Sequence, residues 1–226
     1  MIVGKGLIAS LFTEEDYNNV VFFASGVSNS SETRKEEFLR EQNLVEQTLA
    51  ENSEKLFVYF STCSIYDSSK YNSQYVLHKL HIEELIKQQA EHYLILRVSN
   101  AVGKGGNPNL LMNYLHRQIT SDQQLTVHSH ATRNLIDVED VKNIALEYIK
   151  SQDWNKIINV AYLENFSIPE IIEAFEEKLK ISAKKNIEEK GENYSIDIHE
   201  LDYDFRTKNK TEYLNDLIDK YYDNRI

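Results

Sequence analysis

The fold is decided by the run Leu56-Phe57-Val58-Tyr59-Phe60-Ser61-Thr62. Its first five residues are all apolar or aromatic, and a short run of such side chains is typical of a strand that is buried on both faces of a sheet. Similar short runs occur at Met1–Val3, Val20–Ala24, Tyr93–Leu96 and Ile157–Ala161. The sequence therefore predicts five buried strands.

Amphipathic segments lie between these strands, notably at Glu36–Ala50 and Gln74–Gln88. A later helix is predicted to begin at Ser167-Ile168-Pro169-Glu170, which combines an N-cap serine, a proline in the first turn and a glutamate three residues after the cap. A last amphipathic run covers 213–218. Alternating strands and helices predict an α/β fold with a parallel sheet covered on both faces, in which ligands bind at the carboxyl ends of the strands.

Composition and charge exclude several classes of partner. The chain has 36 acidic and 25 basic residues and a formal net charge of -11, which repels phosphate backbones and anionic lipid unless the basic residues are clustered. No such cluster is present, so neither nucleic acid nor a membrane is an expected partner. The apolar stretches are far shorter than the ~20 residues that span a bilayer, and Met1–Phe12 does not resemble a signal peptide. One cysteine, with no metal-ligand spacing around it, fits a reducing cytoplasm and predicts no metal site.

The first strand runs into Gly4-Lys5-Gly6-Leu7-Ile8-Ala9. Glycines at a strand-to-helix turn let the backbone approach a pyrophosphate, and the N-terminus of a following helix supplies free N–H groups and a partial positive charge. A string of this kind also arises by chance, as a tight turn in an ordinary strand–helix unit. Its position directly after the first strand favours the interpretation as a dinucleotide-binding turn.

Tyr75 and Lys79 are four residues apart in a predicted helix, so their side chains lie on the same face. A nearby ammonium group favours the ionised form of a phenol, and such a tyrosine can exchange a proton with an alcohol oxygen. Thr62, at the end of its strand, could hydrogen-bond the same oxygen. Tyr66 and Lys70 have the same spacing, but the residues between them read as loop. As an isolated pair, Tyr75 and Lys79 would more often be part of a solvated helix face.

Taken together and in order, these segments resemble the extended short-chain dehydrogenase/reductases, the family of NAD-dependent sugar epimerases and dehydratases. The resemblance is carried by the strings Ser61-Thr62-Cys63-Ser64-Ile65-Tyr66, Tyr75 with Lys79, Leu96-Arg97-Val98-Ser99-Asn100-Ala101-Val102-Gly103, and Arg133-Asn134-Leu135-Ile136-Asp137-Val138-Glu139-Asp140-Val141. It covers roughly residues 1–175. It implies a Rossmann-like NAD(P)-binding domain at 1–160, with part of the substrate pocket at 100–140, and a C-terminal substrate lobe at 161–226.

The resemblance also implies a role for each matching residue. Tyr75 would be the catalytic acid/base, Thr62 would polarise the substrate carbonyl or hydroxyl, and Lys79 would bind the nicotinamide ribose and favour the ionised tyrosine. The implied cofactor is NAD or NADP, and the residues implied to bind it are Gly4, Lys5, Gly6, Leu7, Ile8, Ala24, Ser25, Ser61, Tyr75, Lys79 and Asn100. Asn109 and Arg133 would contact the diphosphate of a nucleotide-linked sugar; for Arg133 a surface salt bridge is the alternative.

The sequence departs from the family's pattern on the adenosine side. Only Ser10–Asn19 separate the glycine turn from the strand at Val20, so the family's usual second and third strands are missing. The end of that second strand normally carries the residue that grips the adenosine ribose and decides between NAD and NADP. Cys63-Ser64 stands where the sugar dehydratases carry Asp-Glu, which disfavours elimination of water.

Two functions remain open at this point. The first is reduction or epimerisation of a nucleotide-linked keto-sugar, in an oxidoreductase that the resemblance associates with polysaccharide biosynthesis. The second is a non-catalytic nucleotide or nucleotide-sugar binding module, a sensor or scaffold, that kept the fold but has a degraded adenosine site. The resemblance further implies a homodimer through the helices at 36–50 and 74–88.

Overall fold

The computed structural model describes residues 1–13 and 17–223 and contains one five-stranded sheet and three two-stranded sheets. In chain order the strands are β1 (Ile2–Val3), β2 (Val20–Phe23), β3 (Leu56–Thr62), β4 (Tyr93–Val98), β5 (Asn100–Val102), β6 (Gln124–His128), β7 (Thr132–Arg133), β8 (Leu135–Asp137), β9 (Lys156–Val160), β10 (Phe166–Ser167) and β11 (Lys184–Glu188). The main sheet has the order β1-β2-β3-β4-β9, and all its pairs are parallel. The predicted α/β fold with a parallel sheet is confirmed.

Six α-helices are described: α1 (Lys35–Glu51), α2 (Gln74–Gln89), α3 (Leu111–Thr120), α4 (Val138–Ser151), α5 (Ile168–Leu179) and α6 (Lys210–Tyr222). Successive strand residues point to opposite faces of a sheet, so the main sheet divides its side chains between two apolar clusters. Val21 and Tyr59 pack with Val45 of α1 and Ile82 of α2 on one face. The other face packs against α3, α4, α5 and α6. Because both faces are covered, every residue of β2 and β3 is buried.

The predicted start of α5 is confirmed. The Ser167 hydroxyl accepts a hydrogen bond from the Glu170 amide, and the Glu170 carboxylate accepts one from the Ser167 amide, which forms a capping box. An N-cap serine also begins α2, where Ser73 Oγ accepts a hydrogen bond from the Val76 amide. This cap sets the start of α2 and places Tyr75 in its first turn.

The glycine turn is followed by less helix than the sequence predicted. A 3-10 helix of four residues, Ala9–Phe12, stands in place of an α-helix. The reason is the short connection to β2, which leaves no room for the full strand–helix–strand unit. A helix N-terminus thus follows the turn as expected, but it belongs to a single 3-10 turn, which has a smaller dipole than an α-helix of several turns. Among the described residues β1 pairs only with β2, so it forms the edge of the main sheet on the adenosine side.

The segment after α5 contains a strand that the sequence did not predict. β11 pairs in parallel with β6 and is almost fully exposed. Its polar sequence, with only Ile187 as an apolar residue, gives no buried-strand pattern. The last helix, α6, packs against α5, as the amphipathic run indicated. Within 1–13 and 17–223 no helix is long and apolar enough to cross a membrane.

Candidate active site

A cavity of about 260 Å³ opens at the carboxyl ends of β2, β3 and β4, next to the start of α2. This is the edge at which an open parallel sheet binds its ligands. Eight of the predicted site residues line it: Ile8, Ala24, Ser61, Thr62, Tyr75, Lys79, Asn100 and Asn109. The cavity therefore brings the predicted catalytic residues together with residues that the resemblance assigns to cofactor and substrate.

Six predicted site residues do not line the cavity: Gly4, Lys5, Gly6, Leu7, Ser25 and Arg133. Gly4 has φ +134°, and a Cβ atom there would lie 2.4 Å from the Ala24 carbonyl oxygen. Gly4 thus lets β1 pass close to the end of β2. A Cβ atom on Gly6 would meet nothing within 4 Å, so the space beside the turn is not filled by protein.

Thr62 and Tyr75 both present a hydroxyl group to the cavity wall. Thr62 Oγ1 accepts a hydrogen bond from the Ser64 amide at 3.0 Å, which leaves its own proton free to be donated to a ligand. The Tyr75 side chain is 7% exposed and packs against Val27 and Val76. Within the described part of the chain its hydroxyl has no hydrogen-bond partner, so it remains available to a substrate oxygen.

Lys79 is buried beneath this pair of hydroxyls and bound to a carboxylate that sequence reasoning missed. Its Nζ donates to Glu41 Oε1 at 2.9 Å and to the Tyr59 hydroxyl at 3.0 Å, and it lies 6.0 Å from the centre of the Tyr75 ring. The Lys79 and Glu41 side chains are 3% and 0% exposed. This buried ion pair holds the Lys79 side chain at a fixed position near the Tyr75 ring.

Glu41, on α1, is surrounded by donors. Its carboxylate accepts hydrogen bonds from the Tyr59 hydroxyl at 2.6 Å and the Val27 amide at 2.6 Å, and its Oε2 lies 3.0 Å from His78 Nε2. Burial acts to raise the Glu41 pKa, but the Lys79 charge and these hydrogen bonds outweigh it and lower the pKa far below its usual range. The sequence held one signal for this role, because Glu41 lies one turn before Val45 on the apolar face of α1.

The loop after β2 packs directly against the Lys79–Glu41 ion pair. A Cβ atom on Gly26 would lie 2.5 Å from Lys79 Nζ and 2.7 Å from Glu41 Oε1, so only glycine fits there without a shift. Gly26 also lines the cavity. The lysine is therefore fixed between this loop, α1 and α2.

Ser61 lines the cavity, but its hydroxyl is bound to the buried side chain of Glu83. Ser61 Oγ donates to Glu83 Oε1 at 2.5 Å, and Glu83 is paired with Arg97. Burial acts to lower the Arg97 pKa, but its hydrogen bonds to Glu83 raise it above the usual value. Cys63 is also tied to this group, since its Sγ donates to the Arg97 carbonyl oxygen and burial raises the thiol pKa. These contacts make Cys63 a structural residue rather than a nucleophile.

Arg133 lies close to the cavity without forming its wall. Its guanidinium stands over the ring of Tyr194, 6.0 Å from the ring centre, and Tyr194 lines the cavity. On the nicotinamide side, Asn100 Nδ2 donates to the Asn134 carbonyl oxygen at 2.7 Å. No Asp or Glu is among the described residues that line the cavity, and no described group of three or more His, Cys, Asp or Glu could hold a metal ion.

These residues fit one half of a dinucleotide better than the other. Near the carboxyl ends of β3 and β4 the cavity offers Thr62, Tyr75, Lys79 and Asn100, and the open space at Gly6 suits a pyrophosphate. On the adenosine side the sheet ends at β1, and no described strand continues it. The cavity therefore places polar groups where the resemblance expects the nicotinamide half, while no described strand lies beyond β1 on the adenosine side.

Comparison with known proteins agrees with this geometry. A family model described as "NAD dependent epimerase/dehydratase family" matches residues 2–161. Many solved structures share the fold, and three of them illustrate the match. UDP-glucuronic acid 4-epimerase from Bacillus cereus, in complex with UDP-glucuronic acid and NAD, is 22% identical, with a TM-score of 0.73 over 91% of this chain and 74% of that chain. MoeE5 in complex with UDP-glucose and NAD is 19% identical, with a TM-score of 0.74 over 89% and 78%.

The third is RMD from Pseudomonas aeruginosa complexed with NADPH, 20% identical, with a TM-score of 0.63 over 75% of this chain and 67% of that chain. Identities this low show the fold alone. No curated protein sequence matched the chain.

Proposed function

Because the chain belongs to the NAD dependent epimerase/dehydratase family, we propose that it is an NAD(P)-dependent oxidoreductase or epimerase that acts on a nucleotide-linked sugar. The resemblance seen in the sequence is confirmed by the family match, and NAD or NADPH is bound in the solved structures that share the fold. One observation carries the proposal. The hydroxyls of Thr62 and Tyr75 and the buried Lys79 meet in a single cavity at the carboxyl end of the sheet.

Each of these residues has a separate task in the proposed reaction. A bound nicotinamide supplies or accepts a hydride at a sugar carbon. The Tyr75 hydroxyl moves the proton at the oxygen on that carbon, and Thr62 donates a hydrogen bond that holds the same oxygen. Lys79 provides positive charge beneath the tyrosine and a donor for the nicotinamide ribose, at a position fixed by Glu41.

The cavity wall supports reduction or epimerisation over elimination of water. Elimination requires an acid that protonates the leaving hydroxyl. Cys63 and Ser64 line the cavity at the place of the dehydratases' acid pair, and neither Asp nor Glu lines it in the described part of the chain. Reduction or epimerisation needs a hydride from the nicotinamide and, from the protein, only the proton transfer and hydrogen bonds that Thr62, Tyr75 and Lys79 can supply.

The proposal is tested with UDP-glucose and UDP-glucuronic acid, the sugars named in the related structures, and with their 4-keto forms. Nicotinamide absorbance measures reduction of the 4-keto forms, and chromatography of the sugar products measures epimerisation, which causes no net change in the nicotinamide. We expect Tyr75→Phe to lower turnover by about 10²–10⁴-fold, because the phenol is the proton donor and acceptor. Tyr71→Phe is the matched control, since Tyr71 is exposed and lies four residues earlier. Equal rates for wild type and Tyr75→Phe would contradict the assignment.

A binding module without turnover is the second candidate, and the edge position of β1 favours it. Without a strand beyond β1, the adenosine half of a dinucleotide has less surface to bury, which weakens binding. Calorimetry with NAD, NADP and UDP-sugars separates the two functions. An enzyme binds cofactor and sugar nucleotide together, whereas a sensor binds the nucleotide or sugar nucleotide without turnover and a scaffold binds neither tightly.

We also propose that residues 161–226 form the substrate lobe and that the protein is a homodimer through α1 and α2. Leu39 on α1 and Leu77 on α2 are more than half exposed, which supports an apolar contact on this face. Sedimentation of wild type and Leu39→Glu checks the oligomeric state.

A further inference from the structure

Lys70 is a cation at the cavity wall that the proposed reaction does not use. It ends the 3-10 helix Ser68–Lys70, lines the cavity and donates from Nζ to Ser30 Oγ at 3.1 Å. Its pKa is lowered, chiefly by burial and further by the charge of Arg133, which together outweigh the attraction of Asp67. Lys70 therefore sits where a second positive charge and desolvation both act against its charged form.

Arg133, on β7, lies beside the same cavity, because its guanidinium stands over Tyr194, which lines it. Its Nη1 donates to the Thr132 carbonyl oxygen at 2.7 Å, and Tyr194 lies under its guanidinium. Neither Lys70 nor Arg133 has a carboxylate within ion-pair distance in 1–13 and 17–223. Asp67, the acid whose charge acts on Lys70, is itself engaged, because its Oδ1 accepts hydrogen bonds from the amide and hydroxyl of Ser69.

The other buried cations of the site each form an ion pair with a carboxylate. Lys79 is paired with Glu41 at 2.9 Å, and Arg97 is paired with Glu83 at 2.5 Å. A partly buried cation without an anion is costly, and two such cations near one another repel. Lys70 and Arg133 thus have no described carboxylate at ion-pair distance, unlike Lys79 and Arg97, although Lys70 lines the cavity.

We propose that Lys70 and Arg133 form an anion subsite and that Lys70 binds a negatively charged group of the substrate. The inference rests on the proposed function, in which Arg133 alone was assigned to the substrate. An anionic oxygen between the two cations satisfies both charges and accepts hydrogen bonds from Lys70 and from the Ser30 hydroxyl. Two groups of a nucleotide-linked sugar have this chemistry, namely its diphosphate and a carboxylate on the sugar.

The test is calorimetric titration of the whole chain with UDP-glucose and with UDP-glucuronic acid. We expect Lys70→Gln to weaken binding by about 10–100-fold, because it removes a charge-assisted hydrogen bond. Lys70→Arg keeps the charge and should stay within about threefold of wild type. Lys104→Gln is the matched control, since Lys104 is exposed on the loop that carries Asn107 and Asn109 to the cavity.

A comparison of the two ligands shows whether the diphosphate or the sugar carboxylate occupies the subsite. Equal weakening for both ligands supports the subsite and assigns it to the diphosphate. Weakening for UDP-glucuronic acid alone supports the subsite and assigns it to the sugar carboxylate. Wild-type affinity of Lys70→Gln for both ligands overturns the inference and leaves the proposed function standing, whereas a wild-type protein that binds neither ligand overturns both. Unfolding of each variant by circular dichroism shows that the fold is kept.

Discussion

At the scale of single residues, the site depends on a buried charge pair whose partners are far apart in the chain. Glu41 and Lys79 are separated by 38 positions, and Glu41 also contacts Tyr59, Val27 and His78. Taking two charges out of water costs several kcal/mol each, and only a close partner with further hydrogen bonds offsets that cost. Removing either charge leaves the other buried and unpaired.

We therefore expect Glu41→Ala to lower the free energy of unfolding by about 3–5 kcal/mol. Urea denaturation at neutral pH measures the change. Glu37→Ala is the control on the same helix, because Glu37 pairs with Arg34 and Arg40 at the surface and should cost less than about 1 kcal/mol. Similar losses for both variants would show that the buried pair contributes no more than a surface pair.

The separation of the contacting residues along the chain explains which site residues could be predicted from the sequence. Thr62, Tyr75 and Lys79 lie within one strand–loop–helix segment, so local pattern and spacing were enough to bring them together. Glu41 and Lys70 acquire their roles from neighbours on other elements. The contact between α1 and α2 gives Glu41 its partner, and the approach of β7 gives Lys70 a second cation. No local sequence pattern predicts such contacts between elements that are far apart in the chain.

At the scale of elements, the start of α2 holds the predicted catalytic tyrosine in place. Ser73 caps this helix and Tyr75 is its second residue, so loosening the first turn moves the phenol directly. The strands were predictable because β2 and the first five residues of β3 are all apolar or aromatic. β11 was not, because its side chains are exposed and its pairing with β6 is fixed by backbone hydrogen bonds.

We expect Ser73→Ala to destabilise the protein by about 1 kcal/mol, the usual cost of losing an N-cap, and to lower turnover as well. Ser167→Ala is the matched variant, since Ser167 caps α5 away from the cavity. It should cost a similar amount of stability while leaving turnover unchanged. Thermal unfolding together with nicotinamide absorbance distinguishes the two effects, and an equal loss of turnover in both variants would contradict a positioning role for the α2 cap.

At the scale of the whole molecule, the main sheet ends at β1, with no strand beyond it among the described residues. This absence could be predicted because the connection from the glycine turn to β2 has an easily counted length. The 3-10 form of Ala9–Phe12 has no such local signal, and its contact with β2, where Phe12 stacks on Phe22 with ring centres 4.0 Å apart, is made between separate elements.

If the adenosine half has no strand to bury it, removing it from the cofactor should cost little. We expect nicotinamide mononucleotide to bind within about tenfold of NAD, and NAD within about threefold of NADP, because no assigned residue distinguishes the adenosine ribose. Competition calorimetry with the three ligands measures these ratios. NAD binding more than about a hundredfold tighter than the mononucleotide would show that another surface grips the adenosine, and a matching drop on dilution would place that surface on a second copy of the chain.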